Sequence, residues 1–283
     1  MYKRLISFIF MAFWAGLSPL CADKPVPWQM GFQEPVTPIM ERIIGLHDIL
    51  MITITSIGVI VFVLLGYAVY KFSAKRNPNP SKTSHNTLLE VVWTTIPVLI
   101  LLGISFPTFK LIYYMDKVED AELTVKVVGR QWYWHYSYPD QEFEFDSIMV
   151  PENEVSDPGL RLLEVDNPVV IPVNTTVRFL LTADDVIHSF AVPAFGIKQD
   201  TVPGRVAEIW TRVTKEGTYY GQCSELCGSE HAYMPIAVKV VSKEEYQKWL
   251  ESAKQQFAME DAAPSHHRTG NEIVLAQNNN ARK

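Results

Sequence analysis

Cys223-Ser224-Glu225-Leu226-Cys227-Gly228-Ser229-Glu230-His231-Ala232-Tyr233-Met234 places two thiols, an imidazole and a thioether within twelve residues. This is a donor set that copper prefers: thiolates bind it through soft metal–sulfur bonds, imidazole suits both oxidation states, and a weak axial Met tunes the potential. Such a set suits one-electron transfer. A mononuclear blue-copper site uses one Cys with two His and a long axial Met, so the second Cys is surplus to a single metal. Two bridging thiolates suggest two coppers. Each would want an imidazole, the loop supplies only His231, and a second must come from a neighbouring strand. His188 is the candidate. It sits in the apolar β-type run Asp185-Val186-Ile187-His188-Ser189-Phe190-Ala191-Val192, where an unpartnered imidazole would be costly to bury. The loop therefore asks for a sheet that holds it against the strand carrying His188.

Blander readings have to be weighed against this one. Two cysteines in an exported domain more often form a disulfide, and without their neighbours Cys223 and Cys227 would be read that way. A zinc site is a second alternative, but Met is a poor zinc ligand and paired zinc cysteines are usually separated by two residues. His188 taken alone reads as a hydrogen-bonded core histidine, and only the loop's missing imidazole changes that.

The rest of the chain divides between lipid and water. Its 283 residues are 48% apolar and 20% charged, which leaves room for membrane segments. Lys3 and Arg4 precede a short apolar stretch, so residues 1–22 read as a signal peptide, followed by an exported segment over 23–48. Leu20, in place of a small residue, argues against lipidation at Cys21. Apolar runs at 49–70 and 88–109, each 22 residues, match the ~20 needed to cross a bilayer. Within the hairpin 49–110, the connecting loop 71–87 carries Lys71, Lys75, Arg76 and Lys82 and no acidic residue, so it should face the cytoplasm. Both termini then lie outside. Glu90 is the one carboxylate in either run, a functional candidate by default or an interfacial snorkelling residue.

From Glu122 the pattern changes to short alternating runs at 123–128, 132–138, 169–173, 177–182, 186–192, 205–213, 218–222 and 236–241. This predicts an all-β, cupredoxin-like Greek-key sandwich over 116–241. Ser242-Lys243-Glu244-Glu245 opens a helix over 242–260, and the polar tail 261–283, with its His266-His267 pair, reads as disordered. Between residues 116 and 260 there are 24 Asp and Glu against 13 Lys and Arg, a net of −11, while the whole chain carries −6. That field favours a basic soluble partner and argues against nucleic acid. Asp140, Glu142, Glu144 and Asp146 alternate just after the aromatic run Trp132-Tyr133-Trp134-His135-Tyr136, in which Trp132, Trp134 and Tyr136 would share a strand face.

With the motifs Gly129-Arg130-Gln131-Trp132-Tyr133-Trp134, Asp185-Val186-Ile187-His188-Ser189, Val202-Pro203-Gly204-Arg205, Tyr220-Gly221-Gln222-Cys223 and Met234-Pro235-Ile236, the chain resembles subunit II of the haem-copper cytochrome c oxidases, which carries a dinuclear copper (CuA) centre. The resemblance implies that Cys223 and Cys227 bridge two coppers, His188 and His231 each ligate one, Met234 binds one axially, and Glu225 ligates the other through its main-chain carbonyl. It also implies that the Glu225 side chain reaches a magnesium or manganese ion shared with subunit I. By the same resemblance Trp132 is the electron-entry residue and Glu90 lies near the mouth of a proton path. The implied partners are cytochrome c as donor, subunits I and III, and lipid. The implied setting is a proton-translocating complex of a bacterial inner membrane, with both termini periplasmic. Related quinol oxidase subunits lack the copper ligands. Thioredoxin-like copper chaperones lack the downstream His and Met, and nitrous oxide reductase has no membrane hairpin.

Overall fold

The computed structural model describes residues 24–117 and 120–261; the expected signal peptide and almost all of the expected tail lie outside the described residues. Helix α1 (Pro38–Lys71) begins where Thr37 accepts a hydrogen bond from the Met40 N–H at 3.0 Å and Pro38 occupies the first turn. Helix α2 (Thr87–Asp116) is capped in the same way by Asn86, through the Leu89 N–H at 3.1 Å, and contains Pro97 and Pro107. Their most apolar windows have mean hydropathies of 2.7 and 2.0 and are unburied within the chain, as two membrane-spanning helices would be.

Helix α1 starts eleven residues before the apolar run at 49–70, inside the segment expected to precede the hairpin. The reason is packing: Ile39 and Met40 are buried against the β-domain, so the helix continues beyond the membrane to meet it. Val36 N–H donates to the Ala194 carbonyl at 3.4 Å, Thr37 Oγ1 to the Phe195 carbonyl at 2.7 Å, and Thr214 N–H to the Val36 carbonyl at 2.9 Å. The second helix is tied in through Tyr114, whose ring meets Trp210 at 5.5 Å and carries the Arg42 guanidinium 3.5 Å above it.

The β-domain packs two five-stranded sheets face to face. One runs in the order β3 (Phe143–Ser147), β2 (Tyr133–Tyr138), β1 (Leu123–Arg130), β5 (Thr176–Ala183), β8 (Ala207–Arg212). The other runs β4 (Val169–Pro172), β10 (Pro235–Val241), β9 (Gly217–Cys223), β6 (His188–Val192), β7 (Ile197–Thr201). Each sheet contains one parallel pair, β1 with β5 and β4 with β10, so both sheets are mixed. Crossover connections that return a later strand beside an early one produce this pairing.

Two strands escaped the sequence pattern. β7 reads Ile-Lys-Gln-Asp-Thr and lies at a sheet edge, where little alternation is needed. β3 alternates Phe143 and Phe145 inward with Glu144 and Asp146 outward. Trp134, Tyr136, Phe179, Phe190 and Met234 are all but fully buried between the sheets, with apolar burial of about 1.5–3 kcal/mol per side chain such as Phe or Met. Helix α3 (Lys243–Asp261), capped by Ser242 through the Glu245 N–H at 3.2 Å, lays Phe257 on Phe145 at 4.6 Å and closes the end of the sandwich.

Candidate metal centre

Register brings the donor groups together. Phe190 on β6 pairs with Cys223 on β9, and Ala191 with Gln222. So close an approach requires Gly221, because a Cβ there would fall 2.0 Å from the Ala191 carbonyl oxygen. His188 lies two residues before Phe190, on the same face of β6, and its Nδ1 is 3.9 Å from the Cys223 sulfur. Ser224 N–H then donates to the Ser189 carbonyl at 3.0 Å, turning the chain out of β9 into the loop. The loop folds back so that the Cys227 sulfur is 3.9 Å from that of Cys223, 3.5 Å from Nδ1 of His231 and 3.5 Å from the Met234 sulfur. The Glu225 carbonyl oxygen is 3.4 Å from the Cys223 sulfur.

His188, Cys223 and Cys227 are buried and offer ligand atoms that all lie within 4.8 Å of one another. The two thiols are free, and their separation is far beyond the ~2.05 Å of a disulfide. Burial raises the Cys223 thiol, but its contacts with His188 and with the backbone at Glu225 and Ser189 outweigh this and bring it to about 7. Burial, and then the adjacent Cys223 sulfur, push Cys227 up to about 12. One thiol of the pair ionises readily and then holds the other protonated. A cation placed beside both sulfurs would favour ionisation of both near neutral pH.

Residues 123–241 match the family model described as cytochrome c oxidase subunit II, periplasmic domain, and residues 25–111 match the model for the transmembrane domain of the same subunit. The probable cytochrome c oxidase subunit 2 of Rickettsia bellii (strain RML369-C) is 55% identical over 232 residues, covering 82% of this chain and 86% of that protein. This chain belongs to the cytochrome c oxidase subunit II family. The mitochondrial cytochrome c oxidase subunit 2 of Glycine max is 47% identical over 237 residues, covering 81% of this chain and 60% of that protein. The crystal structure of the periplasmic domain of subunit II of cytochrome oxidase of Bradyrhizobium japonicum is 52% identical, with a TM-score of 0.47, and covers 50% of this chain and 99% of that one.

In this subunit II the donor loop rests on a second layer that sequence reasoning quoted only as motif. Asp185 Oδ1 lies 2.8 Å from Nε2 of His188, fixing the ring with Nδ1 turned to the cysteines, and Asp185 Oδ2 accepts the Gln131 N–H at 2.6 Å. Burial opposes ionisation of Asp185, but hydrogen bonds from His188 and from the Val186 and Gln131 main chain prevail and hold it below the usual carboxylate range. Gln131 Nε2 donates to the Cys227 carbonyl at 2.8 Å, and Trp134 Nε1 to the Met234 carbonyl at 3.2 Å. A carboxylate three residues before a ligand-type His was the available signal for Asp185. Gly129 is the other hidden element: a Cβ there would lie 2.8 Å from Cδ2 of His188.

Trp132 does not share a strand face with Trp134 and Tyr136, because β2 begins at Tyr133. The two hydrogen bonds of Gln131, to Asp185 and Cys227, pull the β1–β2 turn out of line, and half-buried Trp132 lies on the donor loop with Nε1 3.3 Å from the Cys227 carbonyl. Gly228, at φ +128, leaves room for its ring, since a Cβ there would be 3.0 Å from Trp132 Cζ2. The Glu225 side chain is exposed on the same loop. Glu144 and Asp146 flank His135 at 3.4 and 2.8 Å, so part of the acidic face is already paired. Glu90 sits half-exposed in the first turn of α2, at the far end of the hairpin from the β-domain.

Proposed function

We propose that this chain is the electron-receiving subunit of a proton-translocating cytochrome c oxidase, taking electrons from reduced cytochrome c and delivering them to haem in subunit I, where oxygen is reduced to water. The observation that carries this reading is the convergence of two reduced, buried thiols, two imidazole Nδ1 atoms, a thioether and one main-chain carbonyl at the end of β9. These residues fit a copper pair: sulfur is plentiful, one carboxylate-oriented imidazole is fixed in place, and the remaining donors are weak. His188, Cys223, Glu225 (through its carbonyl), Cys227, His231 and Met234 would hold two coppers. When bound, such a pair supplies a one-electron carrier whose charge change is shared between two metals.

The chain's own residues prepare that chemistry. Asp185 holds the His188 tautomer, Gln131 and Trp132 brace the Cys227 carbonyl, and Trp134 braces that of Met234, so the donors need little rearrangement. Trp132 lies between the donor loop and solvent and would be the point of electron entry. The domain's net of −11 would draw a lysine-rich cytochrome c at a rate that falls with salt. The exposed Glu225 carboxylate is a hard oxygen donor suited to magnesium or manganese at the contact with subunit I. The hairpin would sit in a bacterial inner membrane with both termini periplasmic, beside subunit I and subunit III. Rapid mixing of the assembled oxidase with ferrous cytochrome c tests the reading. Cys223→Ser should abolish fast haem reduction, and unchanged kinetics would overturn the proposal.

A further inference from the structure

Residues 26–33, Val-Pro-Trp-Gln-Met-Gly-Phe-Gln, carry no charge between Lys24 and Glu34, and their apolar side chains face outward: Trp28 is 98% exposed and Met30 97%. The loop is nonetheless built. Gln29 clips it at both ends, its Oε1 accepting the Val26 N–H at 3.2 Å and its Nε2 donating to the Phe32 carbonyl at 2.8 Å. Its main-chain N–H also donates to the Val26 carbonyl at 3.3 Å. Trp28 and Gly31 take left-handed backbone angles, φ 63 and 93. Polar groups inside and apolar groups outside is the inverse of a water-facing loop.

The height of this loop points to what covers it. Phe32 meets the His47 ring edge-on at 4.9 Å, and His47 lies two residues before Ile49, where the apolar run of α1 begins. The chain then climbs back over six residues to Pro38, where α1 starts against the β-domain. The loop therefore hangs beside the first three turns of α1, level with the start of the membrane band. Its apolar side chains continue that band outward on the exported side. Amphipathic aromatics such as Trp are enriched at this depth, where a ring can sit among headgroups with its polar edge in water.

We propose that residues 26–33 form an interfacial anchor that seats Trp28, Met30 and Phe32 in the headgroup boundary of the exported leaflet. Because Lys24 is paired with Asp157 at 2.5 Å and Val36 is bonded to Ala194 and Thr214, the anchor also sets the height of the β-domain above the bilayer.

A photoreactive benzoylphenylalanine in place of Trp28, in the assembled oxidase in phospholipid bilayers, tests this directly. The expected product is the chain joined to a phospholipid, with none from the same probe at exposed Glu142, between β2 and β3 at the sheet edge opposite β8. A cross-link from position 28 to another polypeptide, or no adduct at all, would overturn the proposal. The unlabelled chain provides a second measurement, in vesicles of lipids brominated near the headgroup or deep in the acyl chains. Trp28→Phe should remove a component of tryptophan fluorescence quenched by shallow bromines, and identical quenching in parent and variant would refute the anchor.

Discussion

Gly129→Ala should damage the centre through a single methyl group. The added Cβ would lie 2.8 Å from Cδ2 of His188, closer than real Cβ atoms approach, and 3.0 and 3.1 Å from its Cγ and Cβ, both tight contacts. The strand cannot retreat. β1 is bonded on both sides, Gly129 standing opposite Trp134 on β2 and Ala183 on β5, and its carbonyl accepts the Asp184 N–H at 3.2 Å. The imidazole must yield instead, against the 2.8 Å contact to Asp185 and the Trp134 ring at 6.0 Å. Overpacking of this kind costs about 1–3 kcal/mol, read by urea denaturation of the metal-free protein. The copper-loaded protein should show shifted thiolate-to-copper absorption bands at unchanged copper content. His188→Ala removes the ring that is struck, so the double variant should lose less stability than the two single losses added together. Additive losses, or a Gly129→Ala protein with wild-type stability and spectrum, would refute this account of why position 129 is glycine.

Other consequences can be measured separately. Trp132→Gln should slow electron entry from cytochrome c by tenfold or more, on the order of 1.4 kcal/mol in barrier, while copper content stays normal; normal rapid-mixing kinetics would refute the entry role. Glu90→Ala should slow steady-state oxygen consumption and leave the copper spectrum intact, and full turnover would remove Glu90 from any proton path. Tyr136 is fully buried, its hydroxyl has no hydrogen-bond partner among the described residues, and burial raises its pKa well above the ordinary value of ~10. Its folded-state pKa exceeds the unfolded one, so its contribution is complete below pH ~10 and is lost as pH rises beyond, by up to ~1.4 kcal/mol per pH unit. Tyr136→Phe should be near neutral in denaturation at pH 7 and should reduce the alkaline slope; an unchanged slope would contradict the assignment.

The donor loop and its distant imidazole were legible in the sequence because two Cys, a His and a Met at this spacing form a rare set of soft donors, and the fold brings them together with His188. A surplus Cys and a missing His were enough to direct attention to His188. The hairpin was equally legible from length and apolarity, but not the extra turns of α1 before residue 49, which exist because Ile39 and Met40 bury against another part of the chain. Trp132 was misplaced on a strand face since alternation cannot register a turn pulled aside by the side chain of Gln131 and by Asp185, 54 residues away. Gln131 and Gly129 matter through what they touch, of which the sequence carries no trace, while for Asp185 the one signal was its place three residues before His188. β7 escaped because an edge strand of Lys, Gln and Asp has no apolar period to read.

The most direct test is metal analysis of the purified full-length chain together with its electron paramagnetic resonance spectrum. The account predicts two coppers per chain and one unpaired electron whose hyperfine pattern shows it shared equally by both nuclei. One copper per chain, bound zinc, or a Cys223–Cys227 disulfide in the active protein would contradict it.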